Sequence, residues 1–154
     1  MVSIQVKQGQ VFAHICGGSV IQSNLVLTAA HCMKDKQITE MRLVFGTGDL
    51  SVAGPFRVER NILEFVIHPF YNHGESYFDA AILVLEKELN FNDGIQKICI
   101  PPESTLDTSK RSGDSATLTG WGASEPGGPT STELGHAAMM IFSDKYCNKS
   151  RSIL

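Results

Sequence analysis

An all-β fold is what this sequence predicts, and three observations carry that prediction. Short apolar runs either alternate with polar residues or stand as compact blocks. Turn-forming clusters of Gly, Pro, Asn and Asp recur between them. Only residues 28–33 and 143–149 read as helical, and both stretches are short. The elements follow in order. Residues 1–7 alternate apolar and polar side chains, the period-two signature of a half-buried strand. Residues 41–45 alternate in the same way and stop at Gly46. Residues 62–67 are apolar around Glu64 and stop at His68-Pro69. Residues 80–85 are continuously apolar between Asp79 and Glu86, which fits a strand buried on both faces. Turns are expected at Gly46-Thr47-Gly48-Asp49, Gly54-Pro55, Asn72-His73-Gly74, Asn92-Asp93-Gly94 and Pro101-Pro102.

Residues 101–115 are rich in Pro, Ser, Thr and Asp and read as a linker. Beyond it lie a short strand at 116–119 and an apolar stretch at 137–142. Residues 1–110 are therefore expected to form a module of about six strands, and 116–154 only the start of a second one, since small barrels need about five strands. No internal repeat is present.

Composition bounds the function. The chain has 154 residues, 42% of them hydrophobic and 19% charged, enough apolar material for a core and unlike a disordered segment. Net charge is −3, from 13 Lys and Arg against 16 Asp and Glu, with no basic run longer than Lys110-Arg111. Nucleic-acid and anionic-membrane partners lack their electrostatic driving force. No apolar run approaches the roughly 18 residues of a membrane span. The first residues lack the basic and apolar regions of a signal peptide, and the last ones stop inside a helix start, so neither end is expected to be a natural domain border. Four cysteines, Cys16, Cys32, Cys99 and Cys147, allow three pairings, as thiols or as disulfides according to compartment.

Three segments carry chemistry: Cys16-Gly17-Gly18-Ser19 followed by Leu27-Thr28-Ala29-Ala30-His31-Cys32, then Phe78-Asp79-Ala80-Ala81-Ile82-Leu83-Val84-Leu85, then Thr119-Gly120-Trp121-Gly122. In this order they resemble the trypsin/chymotrypsin family of serine endopeptidases. His68-Pro69-Phe70-Tyr71-Asn72 and Ile98-Cys99-Ile100-Pro101-Pro102 are supporting matches. The resemblance runs from about Val2 to about Ser150 and implies a double β-barrel, with the first barrel near complete and the second only begun. It implies that His31 is the general base, Asp79 the carboxylate that orients it, and Cys16–Cys32 a disulfide beside them. It also implies a protein or peptide substrate for the parent enzyme and an extracellular parent. No cofactor is expected, and no metal, because the calcium-loop acids of some family members have no clear counterpart between Gly46 and Glu64. The chemistry suits those roles. A serine hydroxyl needs an adjacent base near pH 7, imidazole suits that task, and a carboxylate fixes its tautomer. His31 and Asp79 are 48 residues apart, so only a folded barrel joins them.

Blander roles compete. His14, His68, His73 and His136 read as surface or satisfied core residues, and Trp121 as a packing residue. A zinc site from His14, Cys16, His31 and Cys32 is disfavoured, because adjacent ligands at 31 and 32 lack the usual spacer. Several family features have no counterpart. No serine follows in the nucleophile motif Gly-Asp-Ser-Gly-Gly. Gly113-Asp114-Ser115 continues with Ala116-Thr117, so Ser115 lacks the glycines for an oxyanion hole. The substrate pocket and the partners of Cys99 and Cys147 also have no counterpart. The chain is thus expected to lack activity as it stands, its parent being a serine endopeptidase completed by the missing C-terminal half of the protease domain. The alternative is a non-catalytic homologue serving as a binding or regulatory module. Asn148-Lys149-Ser150 is an N-glycosylation sequon, in keeping with secretion. Met139, Met140, Ile141 and Phe142 are expected to lie uncovered, with poor solubility or partial disorder from about Thr119 onward.

Overall fold

The computed structural model describes residues 1–72, 77–103 and 108–151. Strands β1 (Val2–Gln8), β2 (Val11–Gln22), β3 (Leu25–Thr28), β4 (Met41–Phe45), β5 (Val58–Arg60), β6 (Ile62–Ile67) and β7 (Ala81–Leu85) form one antiparallel sheet in the order β5-β4-β1-β2-β3-β7-β6. Strands β8 (Ser115–Gly120) and β9 (Gly135–Met140) form a separate two-stranded sheet, and α1 (Thr108–Arg111) and α2 (Asp144–Arg151) are short helices.

The large sheet curls because β2 serves both of its halves. The first part of β2 pairs with β1, up to Val2 opposite Gly18, and its last part pairs with β3, from Ser19 opposite Leu27 to Gln22 opposite Leu25. Register shifts at Ile4/Gln5 and Val20/Gln22 bend the strands, as bulges do. The edge strands β5 and β6 are separated by Asn61 alone, so the two edges of the sheet are drawn together into a half-barrel. This is the all-β, chymotrypsin-like architecture that the resemblance implies. Its inside is filled by Val2, Ile4, Val20, Val26, Met41, Leu43, Phe45, Ile62, Leu83 and Leu85, capped by Leu89 and Ile95. Each such side chain contributes roughly 1.5–3 kcal/mol of burial.

Several expectations need correction. The large sheet has seven strands, not six. Residues 28–33 are not a helix: Thr28 closes β3, and Ala30–Cys32 forms one 3-10 turn. Strand β7 is not buried on both faces. Ala81, Leu83 and Leu85 fill the core, while Ile82 is 37% exposed beside Leu27 and Val66 over a shallow apolar groove. A continuous apolar run thus serves a one-sided strand. The reverse holds for β1, whose polar residues Ser3 and Gln5 are as buried as its apolar ones. Ser3 Oγ meets His14 Nδ1 at 2.8 Å, and Gln5 takes a bond from Arg42 Nε at 2.8 Å, so the outer face of β1 is covered by a hydrogen-bonded layer. The second helix begins at Asp144.

The small sheet docks through Trp121, which is 1% exposed. Its Nε1–H donates to the Gly48 carbonyl at 3.2 Å and its ring meets His14 edge-on at 5.7 Å. Leu134 N–H bonds Gly48 and Leu50 N–H bonds Thr132, fastening the same loop. Every residue of β9 is exposed, Met139 and Met140 included, while Ile141 is half-buried. Among the described residues, no helix is long and apolar enough to cross a membrane. The expected turn at His73-Gly74 and the side chains of the Asn148-Lys149-Ser150 sequon lie outside the described residues.

Candidate active site

Sheet register brings the two key residues together. Strands β3 and β7 run antiparallel, with Thr28, the last residue of β3, opposite Ala81, the first of β7. His31 lies three positions beyond Thr28, and Asp79 two positions before Ala81, so both sit past the same end of the strand pair. Thr28 Oγ1 donates to the Gly17 carbonyl at 2.8 Å and ties this end of β3 to β2. Gly18 lets the two strands approach: a Cβ there would lie 2.9 Å from Val26 Cγ1 and 3.0 Å from the Leu27 carbonyl oxygen. This is the physical content of the Cys-Gly-Gly-Ser segment.

Past Thr28 the chain makes its 3-10 turn, with Met33 N–H bonded to the Ala30 carbonyl at 3.0 Å. The turn buries Ala30 and Cys32 and leaves the His31 side chain 60% exposed between them. Cys32 is joined to Cys16 on β2 by a disulfide, with Cα atoms 6.1 Å apart, so the turn is fixed covalently to the sheet.

Asp79 grips His31 with both carboxylate oxygens. The His31 backbone N–H donates to Oδ1 at 2.8 Å and the ring Nδ1 lies 2.6 Å from Oδ2. Hydrogen bonds from the His31 ring, then from its amide and that of Ala30, hold the Asp79 carboxyl below its ordinary value; partial burial works the other way. The ionised carboxylate only accepts, so the Nδ1 that faces it carries a proton, and the lone pair of the neutral ring belongs to Nε2. Nε2 lies 3.5 Å from Cys32 Sγ.

Asp79 is reached through an unusual backbone. Phe78 has φ of 55°, the left-handed region that costs a bulky residue roughly 1–2 kcal/mol. The Ala80 N–H bonds back to the Phe78 carbonyl at 2.8 Å, closing a tight turn around Asp79. The Phe78 ring stacks on His68 with centroids 4.9 Å apart and planes 10° from parallel. Nothing in residue type foretold this feature, since aromatic residues do not signal positive φ.

The other candidates separate from this pair. Ligand atoms of Cys16, His31 and Cys32 lie within 4.8 Å of one another, but the two sulfurs are bonded to each other and offer no thiolate. His14 stands apart on Ser3, half-buried, and burial lowers its pKa. Ser115 opens β8 opposite Met140. Among the described residues, no serine hydroxyl lies within hydrogen-bond distance of the His31 ring. Cys99 and Cys147 are exposed free thiols.

Comparison with known proteins identifies the family of the chain. The trypsin family model matches residues 1–153. Serine proteinase stubble of Drosophila melanogaster is 34% identical over 87% of this chain and 17% of its own length. A venom protease of Bombus pensylvanicus is 33% identical over 89% of this chain and 56% of its own length. The clotting factor G beta subunit of Tachypleus tridentatus is 30% identical over 91% of this chain and 45% of its own length. The chain therefore spans between 17% and 56% of these relatives.

Proposed function

The chain belongs to the trypsin family of serine proteases, and from that premise we propose that His31 is the general base of a serine endopeptidase and Asp79 the carboxylate that orients it. The observation that carries this reading is the two-oxygen grip of Asp79 on the His31 ring and amide. It leaves Nε2 basic on an exposed ring. From there the imidazole takes the proton of an attacking alcohol as a tetrahedral acyl intermediate forms. It then returns that proton to the leaving amine. Asp79 stays ionised throughout and stabilises the imidazolium between those two events.

The substrate class is protein or peptide, and the parent is extracellular. The names of the venom protease and of the clotting factor support that compartment, and the Cys16–Cys32 disulfide agrees with it. The motif Gly-Asp-Ser-Gly-Gly does not occur in this sequence, which supports the reading that the chain by itself is inactive and that a parent enzyme supplies the attacking alcohol. The test is to incubate the purified chain with chromogenic arginine, phenylalanine and alanine esters and with a serine-reactive fluorophosphonate. Neither turnover nor labelling is expected, and covalent labelling of any serine would overturn the inactivity. In any longer product of the same reading frame that carries Gly-Asp-Ser-Gly-Gly, Asp79→Asn should lower kcat by about 10⁴. An unaffected kcat there would overturn the roles of His31 and Asp79. A stop codon directly after Leu154 would favour the binding or regulatory module instead.

A further inference from the structure

We propose that the ring stack of Phe78 on His68 is a positioning clamp that holds Asp79 against His31. The proposal rests on the pairing of His31 with Asp79 put forward above. Three observations point to it. Phe78 adopts φ of 55° directly before Asp79, in a region where glycine or asparagine would sit with less strain. Its ring lies flat on His68, and Phe70 leans on both rings at 5.7 and 5.8 Å. His68 also grips the other side of Asp79: its backbone N–H donates to the Ala80 carbonyl at 2.9 Å. One residue thus holds the position before Asp79 by its ring and the position after it by its backbone. Strained backbone of this kind persists only where its surroundings over-determine it.

The cluster stands on the surface, since Phe70 is 71% and Phe78 54% exposed. An exposed ring at positive φ adds little to the core, and a glycine at this position would relieve the strain. What the ring supplies is a fixed direction for the turn that carries the carboxylate. A merely structural Phe78 would lower global stability when removed. A clamp behaves differently: Phe78→Gly leaves the unfolding midpoint unchanged or raised, yet loosens the grip on His31.

Two local readouts on the full chain follow that grip. The first is hydrogen exchange of the His31 amide, which donates to Asp79 Oδ1. The second is the titration of the Asp79 carboxyl by carbon NMR. In Phe78→Gly the His31 amide should exchange about ten-fold faster, and the Asp79 midpoint should rise toward its ordinary value. Phe78→Tyr and His68→Phe keep the stack and should restore both readouts. His68→Ala breaks the stack from its other side and serves if Phe78→Gly does not fold. His31 exchange within two-fold of the parent in both stack-breaking variants would overturn the clamp. Asp79→Ala separates the two ideas. If it accelerates His31 exchange while the stack-breaking variants do not, only the clamp falls. If Asp79→Ala also has no effect, the pairing of His31 with Asp79 falls, and the clamp with it.

Discussion

Reducing the Cys16–Cys32 disulfide should weaken the fold by an amount that follows from chain length alone. The bridge closes a loop with a sequence separation of 16. Loop-closure entropy for that length gives about 3 kcal/mol at 25 °C, held in the restricted unfolded chain. Small domains have total stabilities of about 5–15 kcal/mol, so the loss is a large share. With a urea slope of about 2 kcal/mol per molar, the midpoint should fall by about 1.5 M on reduction. The measurement compares oxidised and dithiothreitol-treated protein carrying Cys99→Ser and Cys147→Ser, because those free thiols are exposed and would scramble. Trp121, the single tryptophan, is buried and reports unfolding by fluorescence, alongside far-UV circular dichroism. Reduction leaves both sulfur atoms in place, so no cavity confuses the reading. A midpoint shift below about 0.5 M would refute the view that the bridge acts by restricting the unfolded chain.

Other outcomes follow from single contacts. Trp121→Ala should cost about 3–5 kcal/mol, and Trp121→Phe less, as it loses the bond to Gly48 but keeps a ring on His14; urea unfolding measures both. Gly18→Ala should cost about 1–3 kcal/mol in the same assay, because the new methyl meets Val26, Leu27 and Val2. Burial holds His14 below its ordinary 6.5, so the unfolded chain binds that proton first, and stability should fall as pH drops below about 6.5. His14→Gln should flatten that part of the profile. Asp79, held below 3.8 by His31, contributes stability that is present above 3.8 and lost as pH falls below it; Asp79→Asn should remove that lower limb. Met140→Lys on exposed β9 should reduce light scattering of concentrated samples, since among the described residues that strand pairs with β8 alone.

Some of this could be read directly in the sequence, for identifiable physical reasons. Strand β4 announced itself because Met41, Leu43 and Phe45 fill the core, matching the period of a strand to the period of the side chains. Strand β2 did not, because Cys16-Gly17-Gly18-Ser19 interrupts any alternation with small residues needed for close approach to β3. Strand β5 is three residues long and holds Glu59 and Arg60, too short for a pattern. Strand β7 misled in the other direction: Ile82 is apolar but faces outward. Burial of Ser3 and Gln5 was equally hidden, because it depends on His14, 11 residues from Ser3, and on Arg42, 37 residues from Gln5. At the site, His31 and Asp79 were singled out by motif. Their meeting is a matter of register, which no local pattern contains.

That register also explains why the pair is held so firmly on so exposed a surface. An isolated surface contact between a carboxylate and an imidazole is worth about 1 kcal/mol or less, too little to organise two loops. Here the loops are placed first, by other means. Thr28 opposite Ala81 aligns their starting points, the disulfide fixes the turn that carries His31, and the backbone bonds among Phe78, Ala80 and His68 fix the turn that carries Asp79. The contact then forms between groups that have little conformational freedom left to lose, so its weakness in isolation does not matter. The same reasoning says where mutation should be felt. Substitutions that loosen either turn should disturb the pair more than changes in ionic strength do, because the pair depends on placement more than on charge.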